Sequence, residues 1–203
     1  KPAAREHAPV PASAPEPPRR HARHGQASAL WCYRDAAGAV LMYVARFDPP
    51  DGRKQILPLT WDGAAWGWKG LPTPRPLYGL DVLAQRPQAP VLVVEGEKAA
   101  DAARRMLPGW VVVTSPNGAQ GATKADWRPL AGRAVVIWPD ADEPGQQYAT
   151  AAGEAMRRAG AGSVAVLGLE TLQAWRGADL PDGWDAADAE GEGRSEEHTS
   201  ELQ

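Results

Sequence analysis

The hydrophobic pattern of this chain changes character near residue 77. Before that point, short apolar runs are separated by turn residues. Leu30–Arg34 and Val40–Phe47 flank Asp35-Ala36-Ala37-Gly38, and both flanks are rich in Val, Tyr, Trp and Leu, so a β-hairpin is predicted. Gln55–Thr60 supplies a third strand, Trp61-Asp62-Gly63 opens another turn, and Ala64–Lys69 returns as a short strand. Residues 28–76 are therefore expected to form a small antiparallel β unit. Its Trp61, Trp66 and Trp68 can stack on nucleobases; filling the core of a small sheet is the commoner use of such rings.

After Pro72-Thr73-Pro74-Arg75-Pro76 the pattern lengthens. Tyr78–Ala84 reads as a short helix and Gln85–Pro90 as a link rich in breakers. Val91–Val94 is a continuous apolar run, as expected of a strand buried on both faces. Lys98–Leu107 is helical, with Ala99, Ala102, Ala103, Met106 and Leu107 able to share a face. Val111–Thr114 and Ala134–Trp138 are two more strands. A helix from about Gly145 to Ala159 carries Ala149, Ala152, Met156 and Ala159 on its apolar stripe, and Ser163–Leu167 is a fourth strand. Strands alternating with helices predict an α/β fold over 77–190, a mainly parallel sheet flanked by helices.

Composition trims the ends of this picture. Residues 1–27 are rich in Pro and Ala without periodic apolar positions, and are expected to be a disordered linker. Arg19, Arg20 and Arg23 within it can touch phosphate backbones, or simply solvate a tether. The last ten residues, Arg194 to Gln203, resemble a sequencing adapter read in frame, so 191–203 is expected to be an artefactual or disordered tail. Starting on Lys1 rather than Met, the chain is expected to be a fragment of a longer protein. A net charge of −3 argues against a protein that coats nucleic acid, though not against a nucleic-acid enzyme whose site gathers carboxylates. One cysteine, Cys32, excludes an internal disulfide framework and a thiolate zinc ribbon, and its apolar context predicts a buried small hydrophobe. No apolar run reaches the roughly 20 residues of a membrane helix, and a cytoplasmic location fits.

The chemistry lies where two buried strands run into carboxylates. Glu95 follows Val91–Val94 at once, and Asp140 and Asp142 follow Ala134–Trp138 after one proline. In parallel α/β sheets the carboxyl ends of strands open onto the ligand crevice, so adjacent strands would bring all three to one rim. Clustered carboxylates repel one another unless a cation or proton intervenes, and hard oxygen ligands suit magnesium or manganese. Asp140 and Asp142, at i and i+2, project to one side of an extended chain. Gly96 lets the chain turn sharply from Glu95 into its helix. Each piece has a plainer use: a Glu-Gly turn, or a helix cap by Asp142 or Glu143. Between the motifs, the loop Ser115–Lys124 has glycines that allow close backbone approach at Gly118, and Lys124 and Lys98 can reach phosphate. A flexible connection and an exposed helix residue are their alternatives. The loop lacks the Gly-Lys-Ser/Thr of a Walker A motif.

The stretches VLVVEGEKAADAA (Val91–Ala103) and AVVIWPDADEPG (Ala134–Gly145) resemble the Toprim domain shared by bacterial-type primases, topoisomerases and certain nucleases and recombination proteins. Their Glu-Gly-Glu-Lys and Asp-Ala-Asp-Glu-Pro-Gly forms are most similar to primase-like proteins of phages and mobile elements. The resemblance implies that Glu95 is a general acid/base or metal-organising group and that Asp140 and Asp142 coordinate Mg2+ or Mn2+. It makes Asp185, in Gly183-Trp184-Asp185-Ala186-Ala187-Asp188, a candidate additional ligand, with Asp188 a weaker one. Asp101 departs from the spacing of the helix aspartate in many primases and receives no metal role. The function implied is synthesis of RNA primers from ribonucleoside triphosphates on single-stranded DNA in phage or plasmid replication, with a replicative helicase domain a possible part of the same polypeptide. Phosphodiester cleavage of the nuclease or topoisomerase type, or a non-catalytic nucleic-acid-binding module of a helicase, are the alternatives.

Overall fold

In the computed structural model, residues 7–50 and 53–194 are described; the adapter-like ending from Ser195 onward lies outside the described residues. A short antiparallel pair, β1 (Arg20–His21) and β2 (Gly25–Gln26), precedes a four-stranded antiparallel sheet. That sheet runs β3 (Ala29–Arg34), β4 (Val40–Phe47), β5 (Gln55–Trp61) and β6 (Trp66–Gly67), in that spatial order. The β3–β4 turn closes as its residues require: Asp35 Oδ1 accepts from the amides of Ala37 and Ala39 at 2.9 and 2.8 Å, and Gly38 takes φ +88°.

Period-two alternation gives this sheet two working faces. Trp31, Tyr33, Met42 and Val44 form one core cluster. On the other face Phe47 meets the rings of His21, His24 and Trp68. The Pro-rich stretch expected as a disordered linker lies, from His7 to Ala27, against this sheet. Val10 donates to the Val40 carbonyl at 2.7 Å, and the Trp66 indole donates to the Pro15 carbonyl at 2.8 Å. The rings of the sheet, rather than any periodicity of the segment itself, hold it there. Trp61 and Trp66 pack edge to face at 5.5 Å and are half-buried, so they cover the sheet without filling its core. Cys32, expected to be buried, is only half-buried, and its thiol pKa is raised chiefly by the burial it has.

The second sheet is parallel throughout, in the order β10 (Ser163–Val166), β9 (Ala134–Trp138), β7 (Val91–Val94), β8 (Val111–Val113). Around it lie α1 (Leu80–Gln85), α2 (Glu97–Met106), α3 (Glu143–Arg158), α4 (Leu169–Arg176) and α5 (Ala186–Gly191). Alternate residues of the central strands feed two separate cores. Val91, Val93, Val111 and Ile137 pack with Tyr148, Ala152 and Met156 of α3. Leu92, Val94, Val112 and Trp138 pack with Ala99, Ala103 and Met106 of α2, and with Trp175 and Trp184. This is why the strands read as unbroken apolar runs. The alanine face of α2 also admits α5 through Ala186 and Ala189. The α4 and α5 helices had no sequence prediction: α5 is six residues of AADAEG, readable only as an acidic motif. No helix among the described residues is long and apolar enough to cross a membrane.

The two sheets are joined through α2. Tyr33 Oη donates to Glu97 Oε1 at 2.7 Å, and Glu97 is only 4% exposed. One turn on, Asp101 accepts from the Trp31 indole at 3.0 Å, from Tyr78 Oη at 2.8 Å and from Arg104 at 3.1 Å. Burial raises the pKa of Glu97, and the Tyr33 bond works against that rise. Removing the donor while leaving the acid buried is costly. Tyr33→Phe is expected to lower unfolding free energy by about 1–3 kcal/mol in urea titrations; a midpoint equal to wild type would show that the docking does not depend on this bond.

Candidate functional site

Chain order and strand order together create the crevice. From β7 the chain passes through α2 to β8 on one side, and then returns to β9 on the other. Strand order reverses between β7 and β9, the position where parallel sheets open a cleft beyond their carboxyl ends. Val94 stands opposite Trp138 in the β7–β9 register, so Glu95 and the Pro139-Asp140 step leave the sheet side by side. Gly96, at φ +91° and ψ 157°, is the N-cap of α2 and makes the turn away from Glu95 in a conformation suited to glycine.

Asp140 is placed by an equally tight turn. A Cβ at Gly145 would collide with the Asp140 carbonyl oxygen, so the first turn of α3 seats directly on Asp140. Asp142 is the N-cap of α3, its Oδ1 accepting from the Gly145 amide at 2.6 Å. Two backbone bonds then carry the third acidic segment to the rim: Ala141 donates to the Trp184 carbonyl at 2.9 Å and Gly183 to the Ala141 carbonyl at 3.2 Å. Asp185 follows at once. It caps α5 in a reciprocal box, accepting from the amides of Ala187 and Asp188 at 2.7 and 3.0 Å, while Asp188 accepts from the Asp185 amide at 3.1 Å. The capping use and the acidic cluster thus coexist in the same residues.

Between the sheets lies a cleft of about 650 Å³. Glu95, Asp140 and Asp185 line it, with Lys98 from α2, Gly118 from the loop after β8, and Lys54 from the segment before β5. Asp142 is not among the lining residues, and neither are Lys124 and Asp101. Lys124 is exposed at the end of a 3-10 turn, where its carbonyl accepts from Arg75. Asp188 is exposed within its cap. Gly118, at φ +49°, brings the loop to Glu95: a Cβ there would lie 3.4 Å from Glu95 Oε1.

The electrostatics follow from this crowding. The pKa of Asp140 is pushed up to about 8, first by burial and then by the charges of Glu95, Asp185 and Asp142, with Lys54 opposing. Asp185 is also raised, first by burial and then by Asp188; its cap bonds and Lys98 pull the other way. Among the described residues no three His, Cys, Asp or Glu side chains stand close enough to close a metal site. The donors nevertheless fit a hard divalent cation in kind: they are carboxylate oxygens, and their mutual repulsion is what a cation relieves. Lys54 and the docking acids Glu97 and Asp101 were not singled out as functional in the sequence. The Glu97–Asp101 pair, at i and i+4 on an alanine-rich helix, was a usable signal; Lys54 had none.

A family model for a domain of unknown function, DUF6371, matches residues 22–141. The chain belongs to that family. The DUF6371 match takes in the antiparallel sheet, Glu95 and Asp140, and stops before Asp142. No curated protein matches the sequence. Solved structures similar to this DUF6371 chain include primases. The primase fragment of the bacteriophage T7 primase-helicase protein superposes with a TM-score of 0.55 at 18% identity, over 86% of this chain and 62% of that one. The Aquifex aeolicus primase, with its zinc-binding and RNA polymerase domains, gives 0.59 at 18% identity over 85% and 39%. The DnaG primase catalytic domain bound to single-stranded DNA gives 0.50 at 20% identity over 85% and 50%. The DUF6371 chain has a primase-like Toprim fold, and it spans between about two fifths and three fifths of these primase chains.

Two measurements test this geometry without any ligand. Because the folded Asp140 pKa lies near 8 against an ordinary 3.8, folded protein holds a proton that unfolded chain releases across this range. Stability supported by protonated Asp140 is complete below the lower value and is lost as pH rises to the upper one. Asp140→Asn lacks this loss, so its melting temperature in EDTA should climb relative to wild type between pH 4 and pH 8 and level off above; parallel melting curves would contradict the carboxylate crowding. Separately, Asp185→Ala should cost about 1 kcal/mol through loss of the α5 cap while Asp185→Asn keeps it, as chemical denaturation of the pair would show.

Proposed function

We propose that this chain is the catalytic part of a DNA primase of the phage or plasmid type, joining ribonucleoside triphosphates into RNA primers on single-stranded DNA. The observation that carries the reading is the meeting of Glu95, Asp140 and Asp185 in one cleft at the reversal of strand order, with Lys54 and Lys98 facing them. The primase-like fold supports it, and so does the order of the acidic motifs along the chain.

In this reading Asp140 and Asp185, which line the cleft, would hold Mg2+ or Mn2+, and Asp142 would add the oxygen left over from capping as its side chain closes on the ion. The ion supplies charge neutralisation for the triphosphate and the departing pyrophosphate. Glu95 accepts the proton of the attacking 3′-hydroxyl or helps position the metal ion. Lys54 and Lys98 bind phosphate oxygens, and the backbone of Gly118 sets how closely a nucleotide approaches Glu95. Lys124, exposed and off the cleft, has at most a peripheral phosphate contact. Reactions of this kind depend mainly on positioning and preorganised charge. Single-stranded template is the expected nucleic-acid partner. The T7 relative is part of a primase-helicase protein, which supports a helicase region in the same polypeptide here.

The test uses a fold-preserving substitution. Asparagine caps helices about as well as aspartate, and Asp140→Asn is isosteric, so Asp140→Asn with Asp142→Asn should melt no lower than wild type. It should lose Mg2+-dependent primer synthesis by a factor of at least ~10². Undiminished synthesis by the double variant removes the assignment. Nicking of plasmid by wild type, without primer synthesis, would favour the cleavage chemistry instead.

A further inference from the structure

Three buried hydroxyls lie directly behind Glu95, and the chemistry above leaves them unused. Thr114 and Ser115 follow β8 and are each 0% exposed; Tyr148 projects from α3 and is 1% exposed. Their bonds form a consistent chain of donors. Ser115 Oγ and Tyr148 Oη are 3.2 Å apart, and Tyr148 donates its own proton to the Val94 carbonyl at 3.3 Å. Thr114 Oγ1 accepts the Gly96 amide at 3.0 Å and donates to the Ser115 carbonyl at 3.4 Å. The backbone groups gripped are those of Val94 and Gly96, on either side of Glu95.

Two further contacts extend the grip. The β7–β8 ladder ends at Val93 opposite Val113, so Thr114 and Tyr148 take over where strand pairing stops. On its far side Ser115 supports the glycine loop: a Cβ on Gly121 would come within 2.9 Å of Ser115 Oγ. Tyr148 belongs to the helix that Asp142 caps. A hydroxyl is costly to bury unless it is bonded, and Val, Ala and Phe fill the same spaces with no such demand. The three hydroxyls tie the Glu95 backbone, the loop of Gly118 and α3 into one hydrogen-bonded unit.

We propose that Thr114, Ser115 and Tyr148 are positioning residues of the carboxylate site, fixing Glu95 relative to Asp140 and to the Gly118 loop. The inference rests on the metal-binding reading of that site, and the experiment separates the two. Mn2+ alone is titrated into wild type, Asp140→Asn, Tyr148→Phe, Thr114→Val and Thr114→Ser, with free ion followed by electron paramagnetic resonance and folding checked by thermal melting. Tyr148→Phe and Thr114→Val should weaken Mn2+ binding about tenfold or more, while Thr114→Ser, which keeps the hydroxyl, binds as wild type. A purely structural role would lower melting temperatures and leave the affinity of the folded protein unmoved. Unchanged affinity in Tyr148→Phe and Thr114→Val, with Asp140→Asn weakened, overturns the positioning role and leaves the metal site standing. Equal binding by wild type and Asp140→Asn overturns the metal site and the inference with it. If Tyr148→Phe fails to fold, the Thr114→Val and Thr114→Ser pair decides the matter, since valine keeps the shape of threonine without the hydroxyl and serine keeps the hydroxyl without the methyl.

Discussion

The hydrogen bond from Tyr33 to the buried carboxyl of Glu97 fixes where one sheet stands over the other. Glu97 begins the helix that leaves Glu95, so the acid that docks the antiparallel sheet and the acid that faces the cleft are two residues apart on one turn. With the Trp31–Asp101 bond one turn further on, this docking sets the sheet above the carboxyl ends of the parallel strands. The cleft exists because of it: its walls come from both sheets, with Lys54 on one side and Glu95 and Asp140 on the other. A buried acid held by a hydroxyl and a backbone amide is an expensive fixing, and it is tolerated here in a place where registration between the two sheets decides the site.

Beneath that docking, the parallel sheet imposes a second constraint. Reversal of strand order between β7 and β9 leaves the rim open at one place only among its three strand junctions, and both acidic strand ends fall there. Asp140, at this rim, retains its proton well above the ordinary carboxylate range, held there by burial and by three neighbouring acids. Capping uses one oxygen of Asp142 and one of Asp185, so folding and charge concentration draw on the same side chains without excluding each other.

Primase-like architecture at 18–20% identity shows how little of the sequence the fold itself requires. What it requires is apolar strands buried on both faces, small residues where helices approach one another, and glycines at the two turns that release Glu95 and seat α3. Within this frame the antiparallel sheet and the segment from His7 to Ala27 contribute aromatic surface and one wall of the cleft.

The sequence alone determined the strands of both sheets to within a residue or two and the three acidic positions at strand ends. The reason is local: apolar runs, turn residues and glycines act on their own neighbours in the chain. It also contained the Asp142 cap, which needs only its own helix. Tertiary structure decided the rest. The pairing of Val94 with Trp138 brought Glu95 to Asp140, and the Ala141–Trp184 backbone bonds brought Asp185 to both. Lys54 entered the cleft because the placement of one sheet over the other is set by Tyr33, Glu97, Trp31 and Asp101 across distances that no sequence periodicity encodes, while Asp142 stayed off its lining in the cap of α3. The segment from His7 to Ala27 shows the same limit. Nothing in its composition calls for a fixed path, and the path it takes is set by the aromatic rings and the Val40 carbonyl of a sheet that follows it in the chain.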